Sequence, residues 1–137
     1  MLALQPVDTM PQAFRPVPVT QEEAAAMFRA AQNMFGEWNL TDKQAAALLD
    51  MPVRSYRRWK AIGLGRISRD GAARLSNLMA IHKALRILFS EPQRGYAWIK
   101  TGSAAFAGSS ALDVMLGGEL TDIMRVRRYL DAERGGW

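Results

Sequence analysis

The stretch from Leu40 to Lys60 leaves the chain little choice of fold, because two short helical patterns meet there across a tight turn. Thr41 followed by Gln44 has the spacing of a capping box, so a helix opens just after Thr41 and turns Ala45, Leu48 and Leu49 inward. Asp50 marks the turn. Pro52 suits the first turn of a second helix, where its missing N–H is no loss, and that helix runs through Trp59 to about Ile62. Gly63 and Gly65 then stop it and allow a loop. Ala45 and Ala46 are small enough to let the two helices cross closely, and Tyr56 and Trp59, three apart, point back as anchors. Val53, Arg54, Ser55, Arg57, Arg58 and Lys60 are left facing outward.

The rest of the chain reads as helix and connection. Four of the six prolines (Pro6, Pro11, Pro16 and Pro18) fall in residues 1–19, which predicts an extended, mobile arm. Thr20 and Glu23 form a second capping-box pair. Behind them Ala24, Met27, Phe28, Ala31, Met34, Phe35 and Trp38 recur at helical spacing to about Glu37. Ser68 starts the longest helix, whose apolar stripe is Ala72, Leu75, Leu78, Met79, His82, Leu85, Leu88 and Phe89. Ser90-Glu91-Pro92 ends it, and a shorter helix over about 92–101 carries Tyr96, Trp98 and Ile99. Thr101 to Ser109 is a loop of small residues; Ser110 caps Ala111 to Leu116; Gly117-Gly118 breaks the chain before a last helix defined by Leu120, Ile123, Val126 and Leu130. No alternating strand pattern and no internal repeat occur, so the fold class expected is all-α. The divisions expected are a proline-rich arm over 1–19, a helix-turn-helix domain over 20–90 and a small helical domain over 91–137.

The net charge of +5 matters only where it is concentrated. From Arg54 to Arg74 the basic residues are Arg54, Arg57, Arg58, Lys60, Arg66, Arg69 and Arg74, against the single acid Asp70. A cationic second helix braced by a first one suits double-stranded DNA. Val53, Arg54 and Ser55, with Arg58 one turn on, are placed for base edges, where an arginine bidentate to guanine is worth about 1–3 kcal/mol of discrimination. Thr41, Lys43, Gln44 and Lys60 are better placed for phosphates, and Arg57 belongs to the same outward face. The competing reading is a helical hairpin with a solvated basic face.

Several chemistries have no footing. Cysteine is absent, which removes disulfides, thiolate metal sites and a cysteine nucleophile, and a reducing cytoplasm is the expected location. No stretch is apolar enough to cross a bilayer, and the opening residues lack a basic region and an apolar run of signal-peptide length. His82, the only histidine, lies on an apolar stripe and cannot build a metal site alone; a satisfied core or interface histidine is the expectation. Ser103, Ser109 and Ser110 have no base nearby in sequence, and the glycine pairs follow no strand, so neither reads as a phosphate loop. No active site, cofactor or metal is expected.

Residues 40–60 resemble the Xre/Cro-type helix-turn-helix, with Leu40, Thr41, Ala46, Leu48, Leu49, Arg58 and Trp59 in register. Asp50 stands where that family's turn has glycine, and Pro52 where the second helix has a serine cap. Three later runs, Tyr96 to Lys100, Phe106 to Leu116 and Arg125 to Leu130, resemble the toxin-binding domain of Xre/MbcA/ParS-type antitoxins, with Ala111 in place of the family's proline. Their order is that of the antitoxin in RES–Xre toxin–antitoxin pairs. The resemblance implies a dimer that binds operator DNA, represses its own operon, and inhibits an NAD-consuming RES-domain toxin without being an enzyme itself.

For the toxin contact the residues expected are Trp98, Phe106, Arg125, Arg128, Gly135, Gly136 and Trp137. Trp98 and Phe106 also fit a plain core role. The terminal tryptophan on a glycine link, with the two arginines, is of the kind that anchors an interface. Two other readings stay open at this point: a stand-alone helix-turn-helix regulator whose C-terminal half dimerises, and a helical adaptor for protein partners.

Overall fold

The computed structural model describes residues 19–135, so the expected arm, Val19 apart, lies outside the described residues. Seven α-helices follow one another among the described residues: α1 (Gln21–Glu37), α2 (Asp42–Leu48), α3 (Val53–Ile62), α4 (Arg69–Leu88), α5 (Pro92–Ile99), α6 (Ala111–Met115) and α7 (Leu120–Glu133). Among the described residues there is no strand beyond a single antiparallel bridge between Gly102 and Ser110. No helix among them is long and apolar enough to cross a membrane.

The helix starts are those the sequence announces. Thr20 Oγ1 accepts from the Glu23 N–H at 3.0 Å while Glu23 Oε1 accepts from the Thr20 N–H at 2.9 Å. Thr41 and Gln44 make the same reciprocal pair at α2. Each pair satisfies two backbone donors that a helix start leaves open. Ser68 and Ser110 cap α4 and α6 by accepting from the third residue of each helix. The loop expected over 101–109 is more structured than its composition suggests. A 3-10 turn over Ala104–Phe106 drops the Phe106 ring into the core, and Ala107 and Gly108 then take positive φ.

Helix α4 is the spine of the molecule. It packs along α7 on one side and α1 on another, and α5 folds back against its end. Leu75, Leu78, Ile81 and Leu85 are all but inaccessible, as are Phe28, Met34 and Trp38 from α1 and its cap, and Ile123, Val126 and Leu130 from α7. These residues belong to one continuous apolar cluster. Burial of this kind, not intrinsic propensity, holds helices as short as α2 and α6 in place. The boundary expected at residue 90 is therefore not marked by any gap in packing.

Arg74 corrects one expectation. It was counted in the basic surface run, yet its side chain is 3 % exposed. Its guanidinium donates from Nε to Asp70 Oδ2 at 2.7 Å, from Nη1 to the Leu48 carbonyl at 3.2 Å and from Nη2 to the Gly118 carbonyl at 2.8 Å. The partners satisfy the planar donor fork, which is what makes a buried guanidinium tolerable. Gly118, at φ 93°, turns its carbonyl toward this group in a conformation that a side chain would strain. A second polar tie lies next to it: Arg127 donates to Asn77 Oδ1 at 2.9 Å, and Asn77 Nδ2 donates to the Ala73 carbonyl.

Candidate nucleic-acid interface and partner surface

At the α2–α3 turn the chain reverses over Leu49, Asp50, Met51 and Pro52. Asp50 adopts φ 51°, the left-handed conformation in which glycine is most at ease and aspartate better tolerated than most residues. The Met51 N–H donates back to the Ala46 carbonyl at 3.0 Å, closing the turn. Ala45 and Ala46 are buried, as the close crossing requires. Tyr56 is buried edge-on to Phe28, with centroids 6.0 Å apart, and near Phe35; Trp59 meets Phe28 edge-on at 5.8 Å. Gly65 has a positional role here, because a Cβ at that site would come within 2.5 Å of the Trp59 indole nitrogen.

With Tyr56 and Trp59 turned inward, α3 presents Arg54, Arg57, Arg58 and Lys60 to solvent. Val53 and Ser55 are half-buried, and Val53 packs against the core, so they offer less surface than the arginines. Thr41 and Lys43 are exposed at the start of α2; Gln44 is half-buried and its Oε1 is occupied by the Thr41 N–H. Arg54 and Arg58 enter no ion pair among the described residues, whereas Arg57 and Lys60 are both held by Asp42. Asp42 Oδ2 accepts from Arg57 Nε at 3.1 Å and Oδ1 from Lys60 Nζ at 2.8 Å. These two bonds, that to Lys60 first, hold the Asp42 carboxyl below its ordinary range. Burial pushes the Tyr56 phenol up to about 12, with the Asp42 charge adding to it. The sequence reading missed Asp42; an acid at the first position of a helix looks like an ordinary partner of that helix's own dipole.

At the other end of the molecule three rings from three elements come together. Trp98 and Tyr129 stack at 6.0 Å and 6° between planes, and Phe106 stands edge-on to Tyr129 at 5.4 Å. The Arg125 guanidinium lies over the Phe106 ring, 5.4 Å from its centroid. Phe106, expected to contact a partner, is 4 % exposed because the 3-10 turn tucks it under this cluster. Any part it has in binding therefore passes through the half-exposed Trp98 and through Arg125. Arg125 and Arg128 are exposed on α7, and Gly135 is exposed with φ 73° beyond the helix end. Gly136 and Trp137 lie outside the described residues.

Beside the rings a cleft of about 250 Å³ is lined by Leu88, Phe89, Trp98, Tyr129, Leu130 and Glu133. The neighbouring Glu133 carboxylate raises the Tyr129 phenol above its ordinary value. Tyr129 was not among the expected contact residues, and the sequence reading gave it no role of its own. On α4, His82 is half-buried and its Nδ1 has no partner among the described residues, so it is not the satisfied core histidine that was one of the two expectations.

Comparison with known proteins follows this division of the molecule. Residues 17–80 match the family model of the antitoxin Xre-like helix-turn-helix domain. Residues 84–136 match that of the antitoxin Xre/MbcA/ParS C-terminal toxin-binding domain. The chain is also similar to the uncharacterized protein y4oB of Sinorhizobium fredii (strain NBRC 101917 / NGR234), 45 % identical over 115 residues that cover 83 % of this chain and 85 % of that one.

Proposed function

Because the chain belongs to the Xre-type antitoxin family, we propose that it neutralises a RES-domain, NAD-consuming toxin and represses its own operon by binding operator DNA as a dimer. Its membership already makes it a toxin–antitoxin protein with a DNA-binding helix-turn-helix and a toxin-binding domain, in families of regulators rather than enzymes. The observation that most supports the finer reading is the exposed pair Arg54 and Arg58, unpaired among the described residues and one helical turn apart on a braced helix. That spacing lets two guanidiniums reach successive base edges in a major groove. Thr41, Lys43, Gln44, Arg57 and Lys60 flank them and are assigned to phosphates, and Val53 and Ser55 to the base-facing end of α3. A dimer is inferred because one such helix spans a single half-site.

On the toxin side the contact residues proposed are Trp98, Arg125 and Arg128, with Gly135, Gly136 and Trp137 reaching over the toxin's cleft and Phe106 supporting from beneath. Aromatic and arginine side chains of this kind commonly anchor interfaces.

Co-expression with the product of the neighbouring gene tests the reading. A stable complex, relief of that product's toxicity and a measured complex mass are expected. Arg54→Ala with Arg58→Ala should abolish operator selectivity and leave neutralisation intact, while deletion of 135–137 should weaken neutralisation alone. A neighbour that is harmless without this chain, or that fails to bind it, would leave a stand-alone regulator with a dimerising C-terminal half as the better account.

A further inference from the structure

We infer that Asp42 tempers the sequence-independent DNA affinity of this chain by competing with phosphates for Arg57 and Lys60. The inference rests on the DNA-binding reading above and adds a residue to it. Four cations on α3 face solvent, but they are not equivalent. One carboxylate at the first position of α2 takes a different oxygen to each of Arg57 and Lys60, at 3.1 and 2.8 Å. Lys60 is steered further by the Tyr56 ring, whose centroid lies 5.6 Å from its ammonium. Arg54 and Arg58 make no such pair among the described residues.

The physical consequence concerns which part of the binding energy is affected. Sequence-independent affinity comes from phosphates neutralised and counterions released. Base-edge contacts carry the discrimination. For Arg57 or Lys60 to meet a phosphate it must share or leave Asp42, and the carboxylate itself repels a phosphate brought close to it. Arg54 and Arg58 carry no such cost. Asp42 thus subtracts a similar amount from affinity for every duplex while leaving base contacts in place. It sets how tightly and with what salt dependence the chain holds DNA, and leaves the ratio between a correct site and a random one near its original value. The residue sits at the start of α2, where its negative charge is favoured by the helix dipole, so it serves this purpose without straining the fold.

The test measures the full chain and its variants against two labelled duplexes, the region upstream of its own gene and a scrambled duplex of equal length and composition, across a salt series. Asp42→Asn keeps the Thr41–Gln44 cap and the side-chain shape. It should bind the scrambled duplex roughly five- to tenfold tighter at about 0.1 M salt, and steepen the plot of log affinity against log salt by about one. The upstream duplex should tighten by a similar factor, so the preference for it stays near that of the unsubstituted chain. Asp113→Asn, the same charge change on α6, should keep the original slope. Lys60→Gln should flatten the slope more in the Asp42→Asn background than alone, a comparison that also holds if Asp42→Asn is less stable. An unchanged or shallower slope in Asp42→Asn, or equal steepening in Asp113→Asn, would overturn the inference while leaving DNA binding established. Failure of the unsubstituted chain to bind either duplex at low salt would remove the DNA-binding reading, and this inference with it.

Discussion

Two side chains of opposite character show how burial redirects a residue's chemistry. Arg74 looks like part of a cationic surface and is instead a three-way tie beneath it. Replacing it with methionine should cost about 2–4 kcal/mol of stability, read as a lower urea midpoint with little change in m, because one buried and one part-buried carbonyl lose their donor. Its bond to the 48 %-exposed Asp70 should supply only a small part of that loss. His82 works in the other direction. Burial first, then Arg86, lowers its pKa, against a smaller raising effect of Glu37. The folded protein therefore prefers the neutral imidazole, and the unfolded chain binds more protons below its value near 6.5. Stability should be fully present above that pH and decline as pH falls through the folded value, and His82→Leu should flatten this dependence in denaturant titrations at pH 5.5 and 7.5. Neither role was legible from sequence. The spacing of Arg74 and Asp70 announces an i,i+4 pair, but the carbonyls that complete the tie lie 26 and 44 residues away along the chain.

Helix boundaries, by contrast, were almost wholly legible, because they are written in local chemistry. Thr20, Thr41, Ser68 and Ser110 all accept from the third residue of the helix they precede. The exception is the turn over Ala104–Phe106, whose small residues give no apolar period and whose conformation depends on Phe106 finding the Trp98 and Tyr129 rings. The outward face of α3 was likewise readable: inward Tyr56 and Trp59 fix which way the arginines point, while the pairing of Asp42 across two helices has no sequence period to reveal it. The crossing of α2 and α3 should be sensitive to volume. Ala46 is 2 % exposed, so Ala46→Leu, which puts an isobutyl group where a methyl sits, should cost about 1–3 kcal/mol by overpacking. DNA affinity should fall further than that loss of stability explains, which paired melting and binding measurements on the variant would show.

Two family models meet between residues 80 and 84, inside α4, yet the apolar cluster runs through that point without interruption. Leu78, Ile81 and Leu85 lie on both sides of it and are buried in the same core. The whole molecule should therefore unfold as one unit. Far- and near-ultraviolet circular dichroism should give coincident denaturant transitions, and two resolved transitions would show that the halves are independent. Sequence reading placed a division at residue 90 because chain punctuation at Ser90-Glu91-Pro92 is visible and packing across it is not. The sharing of α4 also bears on how such a molecule can be re-engineered or diversified. A chimera that transplants the DNA-reading end onto a foreign C-terminal half must take all of α4 with it and find a new backbone acceptor where Gly118 stood. The helix-turn-helix end and the partner-binding end should therefore be exchangeable only together, and a swap cut inside α4 should give a chain that does not fold.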